Sequence, residues 1–126
     1  MKILKILAGL LSLPLLGLGL KSMLLPESML GKMAIEVNGS QGLNTVRGDV
    51  GGLLLGIGLL LAIGLWKKNS GVLLGAMIMT GTVALGRILH LVLDGFSPSV
   101  VFPIVFELVA IVILFFIRKK MAKCTD

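Results

Sequence analysis

The sequence predicts an all-α membrane protein: a four-transmembrane-helix bundle with a short interfacial helix between helices 1 and 2. Three observations carry this expectation. Apolar residues make up 56% of the 126-residue chain and charged residues only 14%, giving a mean hydropathy of +1.07. The apolar residues fall into four long stretches, and most Lys and Arg residues collect at the ends of those stretches. A soluble domain this small hides only about 60% of the surface its unfolded chain exposes. That interior is too small for so much apolar area, so lipid is the expected solvent.

A membrane-spanning helix needs about 20 mainly apolar residues. The first stretch, residues 3–25, carries Lys21 and Ser22 near its end. It begins like a secretory leader, but no A-x-A-like site follows and the apolar run is long for one, so it reads as a span. Residues 26–48 form the one long connection. Within it Met29, Leu30, Met33, Ala34 and Val37 recur at helical spacing, with Glu27, Lys32 and Glu36 mostly elsewhere. This pattern suits a short helix lying at the interface, as a packing plug or as a lid. Asn38-Gly39-Ser40 matches a glycosylation sequon and reads as a turn. The second span covers residues 50–66 and the third 71–93, with only Lys67-Lys68-Asn69-Ser70 between them, which predicts a tight antiparallel hairpin. Asp94-Gly95-Phe96-Ser97-Pro98 makes the next turn, and residues 100–117 form the fourth span.

Orientation follows from the basic residues, which favour the cytoplasmic side. Eight of them, Lys2, Lys5, Lys67, Lys68, Arg118, Lys119, Lys120 and Lys123, fall on one side, and Lys21, Lys32, Arg47 and Arg87 remain. The expected protein is multi-pass in the inner (cytoplasmic) membrane, with N- and C-termini cytoplasmic. This placement accounts for the net charge of +6 without a nucleic-acid partner. Cys124, the single cysteine, reads as a reduced thiol in a basic tail.

Helices in lipid associate where small residues let backbones approach. Gly48, Gly52 and Gly56 recur at four-residue steps, and Gly71 and Gly75 lead into a stripe of Ala76, Thr80, Ala84 and Arg87. These five glycines are the expected packing positions. No strand precedes them, so they make no nucleotide-binding loop.

Ionisable residues inside a membrane are costly, at about 2.5–3.5 kcal/mol each on insertion scales, and mark interiors or functional sites. Arg87 and His90 stand one turn apart on the third helix, Asp94 continues that face, and Glu107 lies inside the fourth. Arg47 and Asp49 stand at the mouth of the second. Arg87 precedes Asp94 by about 10 Å of helix, and Glu107 follows Pro98 by about 13 Å. The two therefore meet at similar depth on antiparallel neighbours, and an ion pair is expected. Arg47, Asp49, His90 and Asp94 are expected to complete a polar cluster around it in the outer half. One His and one Cys cannot build a metal site; no cofactor and no catalytic residue is expected.

Asn44-x-x-Arg47-Gly48-x-x-Gly51-Gly52, Gly86-Arg87, Asp94-Gly95 and Glu107 resemble a bacterial family of small four-helix membrane proteins known as a domain of unknown function. The likeness covers roughly residues 40–118, and the chain is also distantly similar to DoxX-like four-helix proteins. His90 lies outside the pattern. The resemblance implies the four-helix fold and a role for the Arg and Glu positions.

Three functional classes follow. The first is a lipid-binding, hydrophobic-ligand-binding or accessory protein, whose partners are membrane lipids, a hydrophobic small molecule, a membrane subunit or a second copy of the chain. The second is a dimeric proton-coupled transporter using Glu107, against which stand an acid-free first helix and a chain with one Trp and no Tyr. The third is an enzyme acting on a lipidic substrate through Arg87, His90 and Glu107, without a nucleophile–base motif to support it.

Overall fold

Helix boundaries here follow local chemistry closely. The computed structural model describes residues 2–96 and 98–125; Ser97, in the second turn, and the Cys124 side chain lie outside the described residues. Helix α1 covers Lys2–Leu24 and runs through Pro14. Leu25 alone separates it from α2, Pro26–Met33. Pro26 occupies the first helical position, where its missing N–H leaves nothing unpaired. Helix α2 stops short of Val37 because Ala34 turns left-handed at φ 53. Its N–H donates to the Gly31 carbonyl, while Ile35 N–H donates to Leu30.

The second apolar stretch differs from expectation. Its helix starts at Gly39, well before residue 50: α3, Gly39–Thr45, passes through a π-helical segment, Val46–Gly51, into α4, Gly52–Trp66. The expected turn at Asn38-Gly39-Ser40 is only the entry, with Asn38 extended before the helix. Continuing the helix pairs backbone groups that a loop beside lipid would leave unsatisfied. The 28 residues from Gly39 to Trp66 exceed the length a bilayer needs, so one end projects beyond the hydrocarbon.

Helix α5 spans Ser70–Leu93 and α6 spans Pro98–Thr125. The basic end of α6 stays helical because Lys, Met and Ala are good helix formers. Among the described residues there is no strand. Four helical stretches are long and apolar enough to cross a membrane, and only 17–28% of an apolar 18-residue run within each is buried. So much outward apolar surface, including Leu85, Val92 and Phe102, requires a lipid surround. The protein is an all-helical, multi-pass membrane protein.

The chain divides into two units, Leu11–Leu59 and Met1–Leu10 with Leu60–Asp126. In the first, buried glycines set the approach of α1 to the second span. A Cβ on Gly19 would lie 2.8 Å from Leu55 Cα, one on Gly58 2.9 Å from Leu16 Cγ, and one on Gly51 2.7 Å from Met23 Cγ. Gly48, Gly52 and Gly56, expected as packing positions, have nothing within 4 Å of a Cβ. The contacting positions are Gly51, Leu55 and Gly58; the expected glycines sit one residue along, about 100° around the helix.

In the second unit the expected hairpin forms. Lys68 is left-handed at φ 51, and the Asn69 side-chain oxygen accepts from the N–H groups of Gly71 and Val72. Gly64 is the close-approach glycine here, with Leu73 Cδ2 2.7 Å from its would-be Cβ. Gly71 meets only Asn69 of its own turn, and Gly75 reaches Leu60 at 4.0 Å, so neither admits a neighbouring backbone.

Candidate functional site

The α5–α6 pair is built on two stripes. On α5 the buried residues are Leu73, Ala76, Thr80 and Ala84, and Arg87 continues their three- and four-residue spacing. On α6 the buried set is Glu107, Ala110, Leu114, Ile117 and Met121. Alternating steps of three and four are the seam of two helices packed along their length. Glu107 therefore occupies a core position of that seam, one where an apolar residue would ordinarily stand. The Thr80 hydroxyl, also buried, is satisfied within its helix by the Ala76 carbonyl at 2.8 Å.

Arg87 resolves the cost of that carboxylate. Its Nε donates to Glu107 Oε1 at 2.8 Å, and the charge-assisted bond replaces water that the seam excludes. The pair is asymmetric: the Arg87 side chain is 40% exposed and that of Glu107 11%. Glu107 Oε2 is buried without a hydrogen-bond partner. Among the described residues Arg87 bonds only through Nε, so its terminal nitrogens remain available. One side of the pair thus offers guanidinium donors, and the other an acceptor oxygen in need of a proton or a donor.

His90 and Asp94 form a second, outer pair. His90 Nδ1 lies 3.0 Å from Asp94 Oδ2 across one helical turn, with side chains 45% and 67% exposed. It is an ion pair only when the imidazole is protonated. Both residues share the face of Arg87, but no described hydrogen bond joins the two pairs.

Arg47 and Asp49 belong to the other unit. There the Arg47 side chain donates through Nη1 to the Met23 carbonyl, so its cation caps the C-terminal end of α1, where carbonyls lack helical partners. Asp49 is exposed. The described contacts of these six residues are two local pairs in one unit and a capping arginine in the other.

Sequence reading did not identify Arg118, whose Nε donates to the Ser70 carbonyl at 3.0 Å and to its hydroxyl at 3.2 Å, tying the end of α6 to the start of α5. The signal available was an arginine at a span end opposite a turn. Beside it opens a depression of about 430 Å³ lined by Lys67, Lys68, Asn69, Ser70, Gly71, Met121 and Ala122. It holds neither a carboxylate nor a histidine, and lies at the hairpin end opposite Arg87. Among the described residues no three His, Cys, Asp or Glu side chains group as metal ligands.

A family model for a domain of unknown function matches residues 3–118 of the chain, a wider range than the motif-bearing residues 40–118. No curated protein and no solved structure matches it.

Proposed function

The chain belongs to the DUF4345 family, and from that premise we propose that it is a binding or accessory protein of the inner membrane, holding a lipidic ligand at Arg87 and Glu107. The observation that supports this reading is the incomplete satisfaction of the pair. A purely structural ion pair at a helix seam gains by using all its donors and acceptors, since a buried orphan oxygen costs about 1–3 kcal/mol. Among the described residues Oε2 has no partner and the guanidinium bonds only through Nε. A ligand with an oxygen acceptor for Arg87 and a hydroxyl donor for Glu107 satisfies both at once. Its apolar portion would lie along the exposed faces of α5 and α6, where Leu89, Phe102 and Val105 stand. Apolar walls with a few convergent polar groups are the usual form of a ligand site. With the basic turn and both chain ends cytoplasmic, the pair lies toward the outer leaflet.

Native mass spectrometry of the chain released from mild detergent tests this. A bound lipidic species is expected with the wild type and with His90→Ala, and its loss with Arg87→Gln and with Glu107→Gln. A ligand-free wild type, or a species retained equally by both pair variants, overturns the proposal.

A further inference from the structure

The α4–α5 turn and the end of α6 gather cations without anions. Lys67 and Lys68 are exposed in the turn, and Arg118, Lys119, Lys120 and Lys123 crowd the end of α6. Among the described residues the carboxylates of this unit are Asp94 and Glu107. Asp94 stands at the other end of α5, and Glu107 precedes Arg118 by roughly 16 Å of helix. Exposed charges that far apart are largely screened, since the Debye length is about 8–10 Å. The basic end is left uncompensated. Its cations also border a shaped feature. Lys67, Lys68 and Ser70 line the depression of about 430 Å³ together with Met121 and Ala122 of α6, and small-molecule sites have volumes of about 300–1,000 Å³. Arg118 joins the two sides of this depression. Its Nε donates to the carbonyl and hydroxyl of Ser70, and it lies one turn before Ala122 on the same side of α6. Its charge is thereby fixed against the lining. Among the described residues neither Lys67 nor Lys68 makes an ion pair. The Asn69 side chain already accepts from the N–H groups of Gly71 and Val72, so an incoming anion would be held by side-chain cations and not by the helix end.

We propose that this depression seats the phosphate headgroup of an anionic phospholipid. A phosphate has oxygens enough to accept from both turn lysines at once, and each such charge-assisted bond is stronger than a neutral one. Lys and Arg grouped beside the end of a membrane span attract anionic headgroups. The surroundings of the depression favour a lipid over a free anion. Trp66 ends α4 beside Lys67 and is exposed, and tryptophan is enriched at headgroup level. Leu74, one turn in from Ser70, and Phe115, two turns in from Ala122, are exposed as well. They share the sides of their helices with those lining residues, which gives acyl chains an apolar track leading away from the depression. The site lies at the end of α5 away from Arg87, so it stands or falls separately from the function proposed above.

The test titrates the full chain, in mild detergent, with phosphatidylglycerol or phosphatidylcholine, reading occupancy by native mass spectrometry and the fold of each variant by circular dichroism. Phosphatidylglycerol is expected to bind more tightly than phosphatidylcholine. Lys67→Gln with Lys68→Gln should weaken it by roughly tenfold or more, the scale of one lost bond to a charged group. Lys119→Gln with Lys120→Gln removes the same charge from outside the lining, where solvent screens it, and should weaken binding by no more than about twofold. Ala122→Glu sets a carboxylate among the lining cations and should abolish the preference for phosphatidylglycerol. Binding that withstands millimolar inorganic phosphate supports a lipid occupant, whereas displacement at that level assigns the depression to the free anion and overturns the proposal. Equal binding of the two lipids by the wild type, equal weakening by the two lysine pairs, or an Ala122→Glu protein that still prefers phosphatidylglycerol overturns it as well.

Discussion

Arg87 Nε and Glu107 Oε1 lie 2.8 Å apart, yet the two side chains live in different surroundings. Glu107 sits in the helix seam with a buried, unpartnered second oxygen, while the Arg87 side chain is 40% exposed. Each partner therefore needs the other to a different degree. A long arginine stem can carry its charge toward an interface, whereas a buried carboxylate on a rigid helix has no such escape.

Removing the arginine should accordingly do more damage than removing the acid. Arg87→Ala leaves an uncompensated buried carboxylate, for which losses of about 3–5 kcal/mol are the upper range; the partial exposure of this pair reduces the expected loss to about 2 kcal/mol. Glu107→Gln keeps the shape of the seam and leaves a guanidinium able to reorient, so about 1 kcal/mol is expected. The double variant should lose less than the sum of the two. Equilibrium unfolding in mixed detergent micelles measures all three, and a larger loss for Glu107→Gln than for Arg87→Ala contradicts the asymmetry.

The parts legible in the sequence are those that depend on distance along a helix. Four apolar runs gave four candidate spans, and equal depth on antiparallel neighbours brought Arg87 to Glu107, because rise per residue is fixed. Rotation about a helix is less legible. Gly48, Gly52 and Gly56 repeat every four residues, but repetition says only that they share a face, and the packed face belongs to Gly51 and Gly58. The length of the second helix was hidden by the polar residues of 39–49, which read as loop until one asks where their backbone bonds would go. Arg47 illustrates a third kind of opacity. Its partner is the Met23 carbonyl, and a backbone group carries no sequence signal at all.

The two glycine stripes make opposite predictions for alanine. Gly19→Ala would drive a methyl onto the backbone of Leu55, which is 2.8 Å away at Cα, and overpacking of this kind costs about 1–3 kcal/mol. Gly52→Ala and Gly56→Ala meet nothing within 4 Å, so the higher helix propensity of alanine should leave them neutral or up to about 1 kcal/mol more stable. Melting temperatures of the three purified variants decide the matter. Destabilisation at Gly52 or Gly56 comparable to that at Gly19 would restore the rejected stripe.

Backbone handedness gives a pair of predictions with opposite signs. Ala34 closes α2 at φ 53, where an L-residue crowds its own carbonyl and glycine does not. Ala34→Gly should therefore stabilise by up to about 1 kcal/mol. Gly39 opens α3 at φ +68 with open space around it, so Gly39→Ala should lose a similar amount for the same reason. Thermal unfolding in detergent reads both, and equal signs for the two changes would contradict the left-handed assignments.

The α4–α5 turn tests whether the hairpin is held by its cap or by its lysines. Asn69 Oδ1 accepts from Gly71 N–H at 2.9 Å and Val72 N–H at 3.1 Å, satisfying two of the four unpaired donors at the start of α5. Asn69→Ala should cost about 1 kcal/mol. Asn69→Asp keeps the acceptor and adds a negative charge at the positive end of the helix, so it should match or exceed the wild type in stability. Among the described residues the exposed Lys67 and Lys68 side chains make no ion pair, and Lys67→Gln with Lys68→Gln should leave stability within about 0.5 kcal/mol. If Asn69→Ala proves silent while the lysine changes unfold the protein, electrostatics and not capping holds this turn.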